Sequence, residues 1–245
     1  MFTLMFGSYT FPNKTFEIVN LPLENNIKEE SIPRKHGTIM RDPFLKSRKI
    51  KIEGIIHNST EASSLTELMA LQAALLAGED KFYHRSDRYI DCYLKKFTPD
   101  FIKGTDKSII SVKVELLAQV PFFIAAGASV SDVSNATGST LSFNINNNGN
   151  AFSEPIIYIC ATGGTINDEI QLKNVTKDDI FNFRGILNNG LTLQIDTKDY
   201  EVLNNGVDGI SDYEGDFLTV VAGSNNFQFV GMTCRITIEH RDRYS

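Results

Sequence analysis

The chain has 245 residues, of which 42% are hydrophobic and 22% charged, and its formal net charge at pH 7 is −6. This composition is typical of a globular protein with one or two domains, large enough to bury a core without disulfides. A mildly acidic chain fits a broad nucleic-acid-binding face poorly, and no apolar run approaches the roughly 18 residues of a membrane span. We therefore expect no nucleic-acid-specific binding and no membrane insertion.

The N-terminal segment does not have the pattern of a secretory signal, because it lacks a basic start and Gly7, Ser8 and Thr10 interrupt its apolar stretch. We therefore expect synthesis and folding in the cytoplasm. The chain has three widely spaced cysteines, each in an apolar, strand-like stretch: Cys92, Cys160 and Cys234. This spacing predicts free buried thiols rather than a disulfide framework or a metal-binding knuckle.

Much of the first half alternates between polar and apolar residues with period two, which is typical of half-buried antiparallel strands. Ile50 and Ile52, for example, alternate with Lys49 and Lys51. The same alternation recurs in the segments 88–97, 110–116 and 234–240.

One segment, from about Thr60 to Ala77, has helical spacing instead. Its apolar stripe is expected to comprise Leu65, Leu68, Met69, Leu75 and Leu76. Ser64 with Glu67 has the residues of a capping box, and Thr60 offers an earlier cap. Gly78 suits the position just beyond the helix. We predict one amphipathic helix with its apolar stripe against a sheet.

A domain boundary is predicted where small polar residues replace large ones, with a linker over about 125–139. The predicted domains are 1–125, an α+β domain with β-sheets and one amphipathic helix, and 126–245. The run 140–145 is a candidate first strand of the second domain.

The second domain shows short strand patterns between turn-forming residues and no long helical pattern. The predicted strands are Ile156–Cys160, Glu169–Asn174, Ile180–Phe183, Leu191–Asp196, Tyr200–Leu203, Phe217–Val221, Asn226–Val230 and Thr233–His240. Turns are predicted at Asn188-Asn-Gly, Asn204-Asn-Gly and Ala222-Gly-Ser-Asn. Many short, closely spaced strands favour an antiparallel β-sandwich, so the fold class of the whole chain is mainly β.

The sequence carries no recognisable catalytic motif: no nucleophile elbow, no P-loop and no zinc-protease helix. Gly163-Gly164 follows a strand without a helix after it, so a hairpin turn is predicted there. No two of the four histidines are three or four residues apart, so the sequence contains no local histidine motif for a metal site. We predict no catalytic, cofactor-binding or metal-ligating residues, no cofactor, and a protein that is not an enzyme.

Acidic residues recur at three places, and each has an alternative interpretation. Asp208, Asp212, Glu214 and Asp216 offer oxygen ligands for weak calcium binding, but the spacing of an EF-hand loop is missing and a solvated turn is favoured. The pairs Asp178-Asp179 and Asp196/Asp199 are interpreted as turn formers rather than as a glycosidase pair.

A basic segment, Ile32–Lys49, includes Arg34, Lys35, Arg41 and Lys46. It is interpreted either as a patch that contacts an acidic partner or as an exposed loop followed by the polar face of a strand.

Several stretches, in this order and spacing, resemble the distal tail proteins (Dit) of long-tailed siphophages over nearly the whole chain. These stretches are Arg34–Gly37, Lys46–Ile55, Lys81–Arg85, Leu116–Phe123, Asn148–Ile156, Leu191–Thr197 and Phe217–Asn226. Ala222 departs from the pattern, since the family often has Pro there.

The resemblance implies a virion protein at the tail tip, made in the bacterial host cytoplasm. It implies a homo-hexameric ring, with the N-terminal domains around a channel and galectin-like C-terminal sandwiches projecting outward. The implied partners are the tail tube protein, a tail-tip protein such as a tail-associated lysin or fibre, and a receptor-binding protein. Some relatives carry a large carbohydrate-binding insertion, for which this chain has no room.

Two other functions remain open. One is the equivalent hub of a contractile tail or tail-like particle. The other is a carbohydrate-binding β-sandwich protein, although the chain contains no Trp to form an aromatic platform.

Overall fold

The computed structural model describes residues 4–12, 15–31, 38–101, 108–135, 140–167 and 169–245. The chain divides into two compact units: residues 1–123 with Ser245, and residues 124–244. We call them unit 1 and unit 2. Most elements are strands, as the sequence predicts, and the described residues contain one α-helix and one 3-10 turn.

The described residues of unit 1 contain nine strands and helix α1. The strands are β1 (Met5–Phe6), β2 (Tyr9–Thr10), β3 (Phe16–Asn20), β4 (Asn25–Ser31), β5 (Thr38–Leu45), β6 (Arg48–His57), β7 (Asp80–Arg85), β8 (Arg88–Phe101) and β9 (Ile109–Ala118). Helix α1 (Glu61–Leu76) lies between β6 and β7. The main sheet has the order β2-β1-β7-β8-β9-β6-β3, and β4 and β5 form a separate antiparallel pair. A short strand, β10 (Phe123–Ala125), follows.

The alternation of β6 and β9 produces one apolar face and one polar face, as predicted. Ile50 and Ile52 are buried, whereas Lys49 and Lys51 are exposed. Helix α1 packs against β6, β8 and β9, so it covers the apolar face. At Gly54 the ring of Phe16 from β3 lies so close that a Cβ atom would come within 2.3 Å of it, which explains a glycine inside a strand.

Helix α1 has the predicted position, and its cap is the earlier of the two predicted alternatives. Thr60 is the N-cap, and it forms a capping box with Ser63. Ser64 and Glu67, the alternative pair, instead bind Asn58: Ser64 Oγ accepts from its N–H at 3.1 Å, and Glu67 accepts from its side-chain amide at 2.7 Å.

The helix buries Ser64, Leu68, Leu71 and Leu75, a stripe that shares only Leu68 and Leu75 with the predicted one. Met69 and Leu76 are 68% and 65% exposed, so assigning them to the apolar contact was wrong. The cause is that apolar residues occur all round this helix, so spacing alone does not select the packed side.

Unit 2 is an antiparallel β-sandwich. Its strands are β11 (Ser129–Asn135), β12 (Leu141–Asn147), β13 (Ile156–Ala161), β14 (Ile170–Asn174), β15 (Asp179–Phe183), β16 (Thr192–Asp196), β17 (Glu201–Asn204), β18 (Val207–Asp208), β19 (Tyr213–Gly215), β20 (Gly223–Val230), β21 (Cys234–His240) and β22 (Arg243–Tyr244), with a 3-10 turn, η1 (Ile210–Asp212). One sheet has the order β11-β21-β13-β16-β17-β18 and the other β12-β20-β14-β15-β19. The alternate residues of both sheets form one core, which includes Ile157, Ile159, Leu172, Phe181, Phe183, Phe227, Phe229, Ile236 and Ile238.

Of three local predictions for unit 2, two differ from the structure and one agrees with it. Part of the segment 125–139, predicted as a linker, forms strand β11, because Ser129–Asn135 pairs with Cys234–His240. Gly163-Gly164 is not a hairpin turn, since it leads from β13 in one sheet to β14 in the other. By contrast, Asn205 and Gly206 both have positive φ, 52° and 78°, as a two-residue hairpin loop between β17 and β18 requires.

The predicted strand Phe217–Val221 does not join a ladder, and only Val220 forms an isolated bridge, to Ser153. Buried asparagine side chains bind this segment instead. Asn147 donates to the carbonyl of Val220 at 3.1 Å, and Asn174 donates to that of Thr219 at 2.7 Å. Asn225 accepts from the Val221 N–H at 2.9 Å. We call these three residues the asparagine clamp.

Candidate assembly surfaces

The outer face of β6, β9 and β8, opposite helix α1, carries five exposed lysines. We call them the lysine face: Lys49, Lys51, Lys95, Lys96 and Lys113. Lys95 lies 3.8 Å from Glu115, and Lys113 lies 3.3 Å from Glu53. Within the described part of the chain, no ion pair joins the other three lysines to an acid. This surface therefore has positive charge that the unit itself does not neutralise.

The two units differ strongly in charge. Residues 1–123 contain 17 Lys and Arg against 15 Asp and Glu, a net charge of +2. Residues 124–244 contain 7 against 15, a net charge of −8. The negative net charge of the chain therefore comes from unit 2, whereas unit 1 alone has a small positive net charge.

Three carboxylates of unit 2 lie in one cross-strand line on the outer face of the six-stranded sheet. Glu239 pairs in register with Ile156, Ile156 with Asp196, and Asp196 with Glu201. We call Glu239, Asp196 and Glu201 the acidic row. Burial, and then the charges of Glu239 and Asp196, raise the pKa of the neighbouring Tyr158 phenol, as expected beside concentrated negative charge.

The predicted basic segment Ile32–Lys49 is only partly described. Arg34 and Lys35 lie outside the described residues, and Arg41 lies in β5, where its backbone pairs with that of Lys28. Lys46 is 3.7 Å from Glu24. Strands β4 and β5 pair with each other and with no further strand of the described ranges, so this hairpin has two open edges.

Arg48, in contrast with its lysine neighbours, is buried, with 3% of its surface exposed. Its guanidinium lies 5.1 Å from the centre of the Phe123 ring, and its Nε atom has no hydrogen-bond partner within the described ranges. Burial lowers the pKa of this guanidinium. The sequence pattern does not predict that Arg48 is buried, because an arginine that starts a strand is ordinarily assigned to the surface.

His84 packs on the same phenylalanine, with 4.2 Å between the ring centres. Burial lowers its pKa to about 4, assisted by the charges of Arg85, Arg88 and Arg48 and opposed by Asp87. The imidazole is therefore neutral at pH 7, which rules out an ion-pairing role for it at that pH.

The acidic loop 208–216 does not gather its carboxylates at one point. Asp208 accepts from the Ile210 N–H at 3.0 Å, Asp216 accepts from the Ile180 N–H at 3.1 Å, and Glu214 lies 2.7 Å from Arg184. Among the described residues there is no group of three or more His, Cys, Asp or Glu that is placed to hold a metal ion. Asp208, Glu214 and Asp216 instead have local structural roles.

The other acidic residues bind local partners. Asp178 lies 2.5 Å from Lys173, and Asp179 lies 3.0 Å from Lys177. Asp196 accepts from the backbone N–H groups of Lys198 and Asp199, as a turn-forming aspartate does.

The three cysteines are free. Cys92 and Cys234 are buried, and burial raises the pKa of both thiols, that of Cys234 to about 12. Cys160 is half-buried. None of the described helices is long and apolar enough to span a membrane.

Comparison with known proteins identifies a family for unit 2. Residues 148–244 match the family described as "Siphovirus-type tail component, C-terminal domain". No curated protein sequence matches this chain significantly. The matched family is a structural tail component, so the prediction of a structural protein rather than an enzyme is confirmed.

One solved structure has the same fold over the whole chain. The crystal structure of the Dit protein of phage SPP1, described as a paradigm of hub adsorption apparatus in phages that infect Gram-positive bacteria, matches with a TM-score of 0.77 at 14% identity. The match covers 99% of both chains. Chains of the phage P2 baseplate, in its activated conformation with Ca and with Sr, match with TM-scores of 0.45 and 0.44 at 9% and 10% identity. These matches cover 97% of this chain and 90% of each baseplate chain.

Proposed function

We propose that this chain, a phage tail component whose residues 148–244 belong to the siphovirus-type tail component family, is the ring-forming hub of the tail tip. Six copies form the ring, which joins the tail tube protein to a tail-tip protein and to receptor-binding components. In this proposal, residues 1–125 build the ring and residues 126–245 form the sandwich that the ring carries. The protein is part of the virion, at the distal end of the tail.

The observation that carries the proposal is the family match of unit 2 together with the likeness of the whole fold to one hub protein. The surfaces of the chain support an assembling protein. A hairpin with two open strand edges is a ready template for pairing with another chain, and stable proteins normally cover such edges. The exposed Met69 and Leu76 of helix α1 add apolar surface that a monomer leaves in water.

The difference between the two units supports a head-to-tail contact between copies rather than a two-fold dimer. The two units have different folds and opposite net charge, so the chain presents unlike surfaces. Contacts between unlike surfaces generate a ring when the rotation between copies closes. Segment 32–49 is proposed to supply subunit or tube contacts within this ring.

The test is the mass of the purified protein by light scattering, combined with negative-stain microscopy. The monomer is 27.4 kDa, so a hexamer has a mass of about 164 kDa. Rings of that mass support the proposal. A protein that stays monomeric at high concentration and also fails to form rings with the tube protein of the same phage would contradict it.

Labelling tests the location independently. Antibodies against this chain should decorate the end of the tail distal to the head in purified virions. Decoration along the tube, or on the head, would rule out a tail-tip hub. The variant Arg34→Glu/Arg41→Glu tests the basic segment, since rings that form unchanged would remove that segment from the contact.

A further inference from the structure

The lysine face and the acidic row have complementary charge and similar dimensions. Lys51 pairs in register with Glu115, and Glu115 with Lys96, so the two lysines stand two strands apart, about 10 Å. Glu239 and Asp196 also stand two strands apart, with Ile156 between them, again about 10 Å. Two sheet faces with matched spacing can bring Lys51 and Lys96 near Glu239 and Asp196.

The lysine face is only partly neutralised within its own unit, since Glu115 and Glu53 pair with Lys95 and Lys113. Lys49, Lys51 and Lys96 form no ion pair with any described residue, and neither do Glu201 and Glu239. Exposed charges of one sign, gathered on a face, steer the approach of the opposite sign and set the register of the contact. The remaining question is which molecule supplies the opposite charge.

We propose that the lysine face of one copy contacts the acidic row of the next copy, so that the sandwich adds a register-setting contact to the ring that residues 1–125 build. The inference rests on the proposed ring and identifies two of its contacting surfaces. A second copy is the occupant that the chain itself favours, because its unit 2 has a net charge of −8 and its unit 1 a net charge of +2. The contact is heterologous, which is the kind that closes into rings.

A charge-swap experiment tests this contact. The first variant, Lys49→Glu/Lys51→Glu, reverses part of the lysine face. The second, Glu201→Lys/Glu239→Lys, reverses part of the acidic row while leaving the turn-forming Asp196 unchanged. The third combines all four changes. The matched control, Lys177→Glu/Arg184→Glu, changes the net charge as much as the first variant, but its residues lie in the turn between β14 and β15 and directly after β15, at the other sheet of unit 2.

The readout is ring formation as a function of protein and salt concentration, measured by sedimentation velocity. Each of the first two variants should weaken assembly by about tenfold or more, and the combined variant should recover most of the loss. The wild-type ring should also weaken between low and high salt, since exposed charges are screened over about 8 Å at physiological ionic strength. The control should assemble like the wild type.

The outcomes separate this inference from the proposed function. If the wild type forms rings and the first two variants form them equally well, the contact is wrong and the ring remains. If each variant weakens assembly but the combination does not restore it, the two surfaces do not face each other. If the wild type forms no ring under any condition, including with its tube protein, both proposals fail. Circular dichroism of each variant checks that folding is intact.

Discussion

The side-chain amide of Asn174 donates a hydrogen bond to the main-chain carbonyl of Thr219 across 2.7 Å. The same amide lies 3.3 Å from Asn225 Oδ1, and Asn174 Oδ1 accepts from the Thr176 N–H at 3.1 Å. Asn174 is fully buried, so these contacts replace water for its polar atoms. The asparagine clamp thereby binds Phe217–Val221, whose backbone groups would otherwise need hydrogen bonds to a neighbouring strand.

We expect Asn174→Ala to lower the free energy of unfolding of unit 2 by about 1–3 kcal/mol, because it removes the donor to a main-chain carbonyl. Urea denaturation followed by circular dichroism measures the change. The control is Asn144→Ala, at an exposed position on the same sheet, which should stay within about 0.5 kcal/mol of the wild type. Equal stabilities for the two variants would show that the clamp does not stabilise the fold.

Ser64 should be more important to unit 1 than its small size suggests. Its hydroxyl donates to the Ser108 carbonyl at 2.6 Å and accepts from the Asn58 N–H at 3.1 Å, and the residue is buried in helix α1. We expect Ser64→Ala to cost about 1–3 kcal/mol, since the Asn58 N–H loses this acceptor. Thermal unfolding measures the effect. Thr66→Ala, on the exposed side of the same helix, is the comparison and should cost less than about 0.5 kcal/mol.

Arg48 is expected to tolerate an apolar replacement. Its buried guanidinium has no carboxylate partner in the described ranges, so desolvating the charge is not offset by an ion pair. We expect Arg48→Met to leave the free energy of unfolding unchanged or to raise it by about 1 kcal/mol. Chemical denaturation checks this expectation. A loss of more than about 2 kcal/mol would mean that the charge itself stabilises the fold.

His84 should make the fold sensitive to acid. Its folded pKa, about 4, lies below the ordinary histidine value near 6.5, so between these values the unfolded chain binds a proton that the folded chain excludes. This contribution to stability is therefore present above pH 6.5 and is lost as the pH falls towards 4. Melting temperatures measured across this window should decrease less steeply for His84→Gln than for the wild type.

The matched control for that measurement is His57→Gln, which removes a histidine from an exposed position. Comparing the two variants separates the effect of the buried imidazole from the effect of removing any one histidine. Parallel curves for the wild type and His84→Gln would mean that groups other than His84 cause any acid sensitivity.

Strands with one buried face were predictable because their side chains alternate strictly. In β9, Ile110, Val112, Val114 and Leu116 are all buried, in agreement with the alternation in the sequence. The position of helix α1 was predictable for a similar reason, since its start and end are marked by Thr60 and Gly78. The side on which the helix packs was not predictable, because apolar residues occur all round the helix.

The candidate surfaces were less predictable than the fold. The alternation in β6 identifies Lys49 and Lys51 as exposed, but the alignment of Lys51 with Lys96 depends on the register of three strands. The acidic row likewise joins residues from three strands, Asp196, Glu201 and Glu239, that no local motif connects. Residues 1–123 contain 17 basic and 15 acidic residues, and residues 124–244 contain 7 and 15. These counts become informative only when the boundary between the units is known.

By itself, the sequence determined the β-rich fold class, the strands with a single buried face, the single helix and the resemblance to siphophage tail proteins, because local periodicity and motif order carry that information. Only the tertiary structure decided that Phe217–Val221 is bound by asparagine side chains, that Arg48 is buried, and that the lysine face and acidic row each form one surface. The physical reason is that hydrogen-bond partners, burial and strand register depend on residues far apart in the chain, which spacing along one segment does not reveal.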